Sequence, residues 1–143
     1  MITALAAALL GLEGQHLMAV SGDAALAPGL GGGITARWAW CFHPYFGLTA
    51  GAAWHSIDAG HVGRGSVGVH YLFDDYEWVP WAAVSAEAAG DSAGPAFALD
   101  LALGLDWRFL PNGSVGLTAS WHPTLVGQLG DLTAVGGRVA AWW

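Results

Sequence analysis

The side chains best suited to chemistry in this sequence are six histidines (His16, His43, His55, His61, His70 and His122), four arginines and a scatter of carboxylates and hydroxyls. Acyl transfer needs a hydroxyl nucleophile with a base in hydrogen-bond reach and a third group to orient that base. His55, Ser56 and Asp58 lie together, with His61, His122 and Thr124 as further members. Neighbouring residues of an extended chain point to opposite sides, so His55 and Ser56 are expected to be held apart. His122-Pro123-Thr124 puts an imidazole and a hydroxyl on one side, with threonine in the nucleophile's place. No two histidines are spaced two or four residues apart, the spacings that would let them share a metal ion on one face. On these grounds no metal, no cofactor and no enzymatic activity is expected, and the histidines are assigned to hydrogen bonding.

The elements that position these groups follow from composition. Of 143 residues, 55% are hydrophobic and only 10% charged, with no lysine at all. A soluble domain could hardly clothe its surface with so little charge. A helical membrane protein would show apolar runs of about 18 residues or more, and from Gly14 onward Gly, Ser, Asp or Arg breaks every run. Apolar composition without long apolar runs is the signature of a membrane β-barrel, where lipid-facing and lumen-facing residues alternate. The net charge of −7 argues against nucleic acid as a partner. Cys41 is the only cysteine, so there is no internal disulfide, and it reads as a small packed residue. Met1–Gly11 resembles the apolar core of a secretory signal peptide without the usual positive start. Residues 1–13 are accordingly expected to be a truncated signal remnant or N-terminal segment, and 14–143 the barrel.

Period-two alternation recurs along 14–143, broken at regular intervals by turn residues. Its clearest stretch sets Phe97, Leu99, Leu101, Leu103, Leu105 and Trp107 against Ala98, Asp100, Ala102, Gly104, Asp106 and Arg108. Segments 33–43, 46–56, 63–73, 113–122 and 132–143 alternate in the same way. Trp81 and Val79 blur the pattern of 77–88, and the facing of 15–25 is ambiguous. The count predicts an all-β chain: an eight-stranded antiparallel up-and-down transmembrane barrel with strands of about 9–11 residues. Between these strands, 24–32, 56–63, 89–95 and 122–132 are expected to form loops at one end.

Aromatic residues flank the connections at the other end. Trp40, Phe42, Tyr45, Tyr71, Phe73, Trp78 and Trp107, together with Phe46, Tyr76, Phe109 and the terminal Trp142 and Trp143, are expected to form an aromatic girdle at a membrane interface. The segments HPYFGLTAGAAW (43–54) and FLPNGSVGLTASWHP (109–123), and a last strand ending on Trp143, resemble small OmpA- and OmpW-like outer-membrane barrels. The likeness extends over most of 14–143, and no periplasmic domain of the OmpA type is expected. It implies residence in the bacterial outer membrane, among lipid and lipopolysaccharide, with the aromatic turns facing the periplasm. It also implies recognition of the C-terminal strand by the barrel assembly machinery. Some small barrels of this kind modify lipid A with a His and a Ser near the outer rim, which keeps such an enzyme as an alternative.

An eight-stranded barrel is just wide enough for side chains to fill. Its inward charges must be paired or hydrated, since each otherwise costs several kcal/mol. A lumenal network is therefore expected from Arg37, Asp100 and Arg138 near mid-depth, His70, Glu77, Asp106 and Arg108 toward the girdle, and His55, Arg64 and Glu87 toward the far end. Arg37 and Arg138 are expected to share Asp100, and Arg108 to pair with Asp106 or Glu77. The function these features suggest is structural or interactive, as an integral barrel that could be one subunit of an envelope assembly with other envelope proteins. A narrow porin-like conduit is the other reading, since many inward residues are small.

Overall fold

Hydrocarbon offers no hydrogen bonds, so a chain crossing it by strands must pair every strand on both sides. The computed structural model describes residues 15–27, 29–58, 60–73, 77–92 and 94–143, and these do so. The signal-like segment 1–13 and Tyr76 lie outside them. In chain order the strands are β1 (Gln15–Ala27), β2 (Gly31–His43), β3 (Phe46–Ile57), β4 (Gly60–Leu72), β5 (Trp78–Asp91), β6 (Gly94–Leu110), β7 (Gly113–His122), β8 (Thr124–Val126) and β9 (Leu132–Trp142). Each pairs antiparallel with its sequence neighbour from β1 to β7, β7 pairs with β9, and β9 returns to β1. The short β8 continues the line of β7 beyond Pro123 and stays paired with β6. The result is a closed, eight-stave, all-β antiparallel barrel, as the alternation predicted, and no helix occurs among the described residues.

β7 and β9 have the expected length, with 10 and 11 residues, and the other long staves exceed it, β1, β2 and β4 having 13 residues each and β6 17. At about 3.3 Å per residue and a tilt of about 40°, 13 residues rise roughly 33 Å, beyond the ~25 Å apolar band of such barrels. The expected loops at 24–32, 56–63 and 89–95 are therefore mostly strand, belonging to β1 and β2, β3 and β4, and β5 and β6. Their glycines and alanines have low strand preference on their own, but ladder bonds to neighbouring staves override it. Gly60 and Gly94 open β4 and β6 with φ of 131° and 128°, values L side chains rarely adopt.

Facing is resolved throughout. In β1, Leu17, Ala19, Ser21 and Ala25 are buried while Met18, Val20 and Leu26 are exposed. Trp81 and Val79, which blurred the reading of β5, keep strict parity and point inward. Outward stand Leu48, Val67, Val84, Leu103, Leu117 and Val139, each about half exposed or more, a surface suited to hydrocarbon as solvent. The core is thus the lumen, in three layers. An apolar layer at the girdle end holds Leu17, Cys41, Leu72, Val79, Trp81 and Trp142. Polar groups fill the middle. At the far end Val62, Ala89 and Ala96 pack with Ile57 and with Leu129 from the 127–131 connection.

Bulky inward groups fit because glycines sit beside them. A Cβ at Gly104 would lie 2.5 Å from the Trp81 indole, and one at Gly116 2.3 Å from Asp106 Oδ1. Gly116→Ala is therefore expected to cost more than about 2 kcal/mol through overpacking. Gly65→Ala, with nothing within 4 Å, should change stability by less than about 0.5 kcal/mol. Urea unfolding followed by heat-modifiable electrophoretic mobility in detergent distinguishes the two; equal stability of both variants would contradict the packing described.

Candidate functional site

Closure brings inward charges from six staves into a space where each must find a partner. Arg37 from β2 donates to Asp100 on β6 at 2.5 Å. Arg64 from β4 donates to Glu87 on β5, both almost fully buried. Arg138 from β9 approaches Asp106, with Nε 3.3 Å from Oδ2. Here the structure corrects the expectation that Arg37 and Arg138 share Asp100. Strand register places Arg138, Gly116 and Asp106 in one row, and the missing side chain at Gly116 lets Arg138 reach across β7. Asp106 also accepts from the Trp81 indole at 3.1 Å and from Ser114 at 3.4 Å.

Trp81 is the centre of this packing. His70 stacks on it at 5.5 Å, fully buried, and the Arg138 guanidinium lies 4.1 Å from its ring centroid. Such cation–π contacts gain up to about 2 kcal/mol when desolvated. Arg108 lies over Trp142 at 4.6 Å. Glu77, expected in the lumen, is instead exposed at the rim, where it accepts the Trp107 indole N–H at 2.8 Å. It precedes β5 in a connection and so escapes the parity of the strand.

The girdle needs a second correction. Trp142 is only 5% exposed and belongs to the inner apolar layer. It adjoins Trp143, which is 62% exposed, and adjacent strand residues cannot both face lipid. The remaining aromatics stand on the outer face at the girdle end, with Trp40, Phe42, Phe73, Trp78 and Trp107 exposed and Tyr45 and Tyr71 half-buried. They touch in series: Trp40 with Phe42, Tyr45 with Tyr71, Tyr71 with Phe73, and Trp78 with Trp107.

Toward the far end the lumen holds a group that residue types alone did not reveal. His55 is buried and Ser56 exposed, separated as alternation requires. His122 turns instead to Ser120, two residues back on the same face of β7, with Nε2 3.0 Å from the serine Oγ. Its Nδ1 lies 2.9 Å from Glu87 Oε2, and the other oxygen of Glu87 holds Arg64. An ionised carboxylate only accepts, so in the neutral imidazole Nδ1 carries the proton and the bare Nε2 accepts from the Ser120 hydroxyl. Equal parity of Ser120 and His122 was visible in the sequence; Glu87, 35 residues away, was not. Thr124 accompanies neither, donating its backbone N–H to Asp131. Asp23 accepts from Thr35 at 2.6 Å and lies 3.8 Å from His55. No group of three or more His, Cys, Asp or Glu among the described residues is placed to hold a metal ion.

A cavity of about 30 Å³ runs between these groups, lined by Arg37, Arg64, Glu87, Asp100, Ser120, His122 and Arg138 among others. A water needs roughly 10–15 Å³ on such a measure, so the cavity has room for about two.

No family model matches the sequence, and no curated protein does. Solved structures do match its fold. The N-terminal β-barrel domain of Pseudomonas aeruginosa OprF superposes with a TM-score of 0.74 at 11% identity, over 92% of this chain and 98% of that one. Neisserial surface protein A gives 0.64 at 14%, over 90% and 97%. A de novo designed transmembrane β-barrel gives 0.67 at 16%, over 92% and 97%. The chain has the fold of small transmembrane β-barrels.

Buried pairing makes the lumen sensitive to single deletions. Asp100→Leu leaves the Arg37 guanidinium without its carboxylate and is expected to destabilise the barrel by about 3–5 kcal/mol. Adding Arg37→Met should recover most of that loss in urea titrations. A double variant no more stable than the single one would show that the pair is not coupled.

Proposed function

We propose that this chain is an integral barrel of the bacterial outer membrane with a structural role, closed to solute passage. One observation carries the reading: the lumen at the girdle end is filled by the indoles of Trp81 and Trp142 packed with Leu17, Leu72 and Val79. Beyond this layer lie a cavity of about 30 Å³ among paired charges and one of about 110 Å³ at the far end, and neither is lined by Leu17, Leu72, Val79 or Trp142, so neither reaches through the layer. The small inward residues that suggested a conduit, such as Gly68, Gly104 and Gly116, are occupied by neighbours: Ser85, Trp81 and Asp106 fill the space where a Cβ would stand.

Two further features support membrane residence. The outer surface carries exposed Leu, Val, Trp and Phe on all staves, and charge is drawn inward. The girdle and the connections at 44–45 and 111–112 share one end with the last strand, whose Trp143 exchanges backbone hydrogen bonds with His16. In this reading that end faces the periplasm, lipid and lipopolysaccharide surround the barrel, the assembly machinery engages β9, and other envelope proteins contact the outer surface.

Planar-bilayer recording of the refolded full chain is expected to show no discrete, reproducible openings, with a known porin reconstituted alongside as the positive control. Unitary openings from the purified barrel would overturn the closed reading.

A further inference from the structure

Beyond a structural role, we infer that the cavity at the far end is a blind binding site for a short neutral carboxamide, met as a free acetamide-sized molecule or as the acylamido tip of a larger one.

Three staves and one connection build this cavity of about 110 Å³. β3 supplies Ile57, β4 supplies Val62 and, two residues on along the same face, Arg64, and β5 ends beside them at Asp91. The connection between β8 and β9 covers them with Gln128, Leu129 and Gly130. It comes down onto β6 because Gly127, with φ of 113°, sits where a Cβ would lie 2.7 Å from the Ala96 Cβ. Thr124 then ties it in place, donating its N–H to Asp131 at 2.9 Å and its hydroxyl to the Gly130 carbonyl at 3.4 Å. Leu129 is thereby turned onto Val62, Ala89 and Ala96. The edge residues Gly60, His61, Gln128 and Gly130 are exposed, so the cavity is open to the surroundings at its rim. Its inner wall is Arg64, whose side chain is 2% exposed.

Arg64 decides the chemistry of the ligand. One of its terminal nitrogens donates to Glu87, while its Nε is buried without an acceptor among the described residues. A buried donor left unpaired carries its full desolvation cost, which an acceptor on a ligand removes. That acceptor must be neutral. The charge of Arg64 is already answered by Glu87, so a second anion here would be a buried charge without a counter-ion, and Asp91 on the same cavity repels it further. A carbonyl oxygen satisfies both conditions. Asp91 then selects the group beside that carbonyl. Its Oδ1 accepts the Gly94 N–H at 3.2 Å, and a carboxylate offers about four acceptor sites, so it can take an amide N–H as well.

Ile57, Val62 and Leu129 complete the description by offering an apolar wall. Water bound there is poorly held, and a methyl or ethyl group gains by displacing it. Carbonyl, N–H and short alkyl group on adjacent atoms define a carboxamide. An ester lacks the N–H, and a carboxylate carries the wrong charge. The size agrees, since an apolar cavity of about 150 Å³ holds benzene and this one, at about 110 Å³, holds acetamide or propionamide. A substituent on the amide nitrogen leaves through the exposed rim beside Gln128, and the tryptophan layer keeps the ligand from going further.

The test uses the refolded full chain in detergent, its folding verified by heat-modifiable mobility and its Ile, Leu and Val methyl groups isotopically labelled for NMR. Acetamide and propionamide should shift the methyl signals of Ile57, Val62 and Leu129 saturably, with the millimolar dissociation constants that so few ligand atoms allow. Val84 and Leu103, exposed on the outer wall, should not respond. Acetate and methyl acetate should bind at least about tenfold more weakly, the loss that follows from a buried group left unpaired. N-(2-hydroxyethyl)acetamide separates the two sources: saturable shifts identify the acylamido tip of a larger molecule, and binding of the primary amides alone identifies a free amide. Arg64→Lys keeps a positive charge beside Glu87 but removes the Nε donor, and should weaken acetamide about tenfold. Should that variant fail to fold, Leu129→Ala, which lies in a connection and outside the staves, should enlarge the site and move its preference from acetamide to butyramide. Absence of saturable shifts in the folded chain, acetate binding as tightly as acetamide, or a preference unmoved by Leu129→Ala would overturn the inference.

Discussion

A backbone N–H or C=O left unpaired in hydrocarbon costs several kcal/mol, and the architecture descends from that constraint. It obliges β9 to return to β1, which makes an inside and an outside. Once closed, the inside is too narrow for bulk water, so any charge placed there must be answered by another. Arginine–carboxylate pairs join staves that are not neighbours in the ring as well as staves that are: Arg37 and Asp100 belong to β2 and β6, Arg64 and Glu87 to the adjacent β4 and β5. Buried pairs of this kind are weak evidence for stability but strong constraints once present, since loss of one partner strands the other.

The lumen is graded along its length. Tryptophan and aliphatic side chains occupy the girdle end, ion pairs the middle, and the Ser120–His122–Glu87 group lies toward the far end beneath the Leu129 contact. Grading separates two demands. Indoles fill volume and seal, while the polar groups, held in fixed positions by rigid staves, keep a defined geometry. Rigid elements position functional groups better than loops do, and here the connections between staves are short.

Most of the architecture was legible because alternation is a local property. Whether Leu103 and Gly104 face opposite ways follows from their adjacency alone, and strand count and facing followed from repeating that observation. Pairing across the lumen was not legible in the same way. The sequence placed Arg138 and Asp106 inside without saying that Gly116 would open a gap between them, because that depends on register between three staves. Glu77 was misplaced because parity does not extend into a connection, and Trp142 because clustering of residue types was weighed above parity. The far-end loops were overextended for a thermodynamic reason: glycine-rich segments have little strand preference until a neighbouring edge offers them partners. Ser120 and His122 share a parity in the sequence, but their relation to Glu87 needed the ring closed.

Alternation determines inward from outward only to within two residues, since sliding one stave by two against the next preserves every facing. The glycines beside large inward groups remove that degeneracy. Trp81 meets Gly104, and a slide of two would set it against Ala102 or Asp106 instead. Asp106 meets Gly116, with Ser114 and Thr118 on either side. Because cumulative stagger around a barrel governs its tilt and diameter, these notches act as a vernier: a few absent methyl groups select the girth of the whole cylinder.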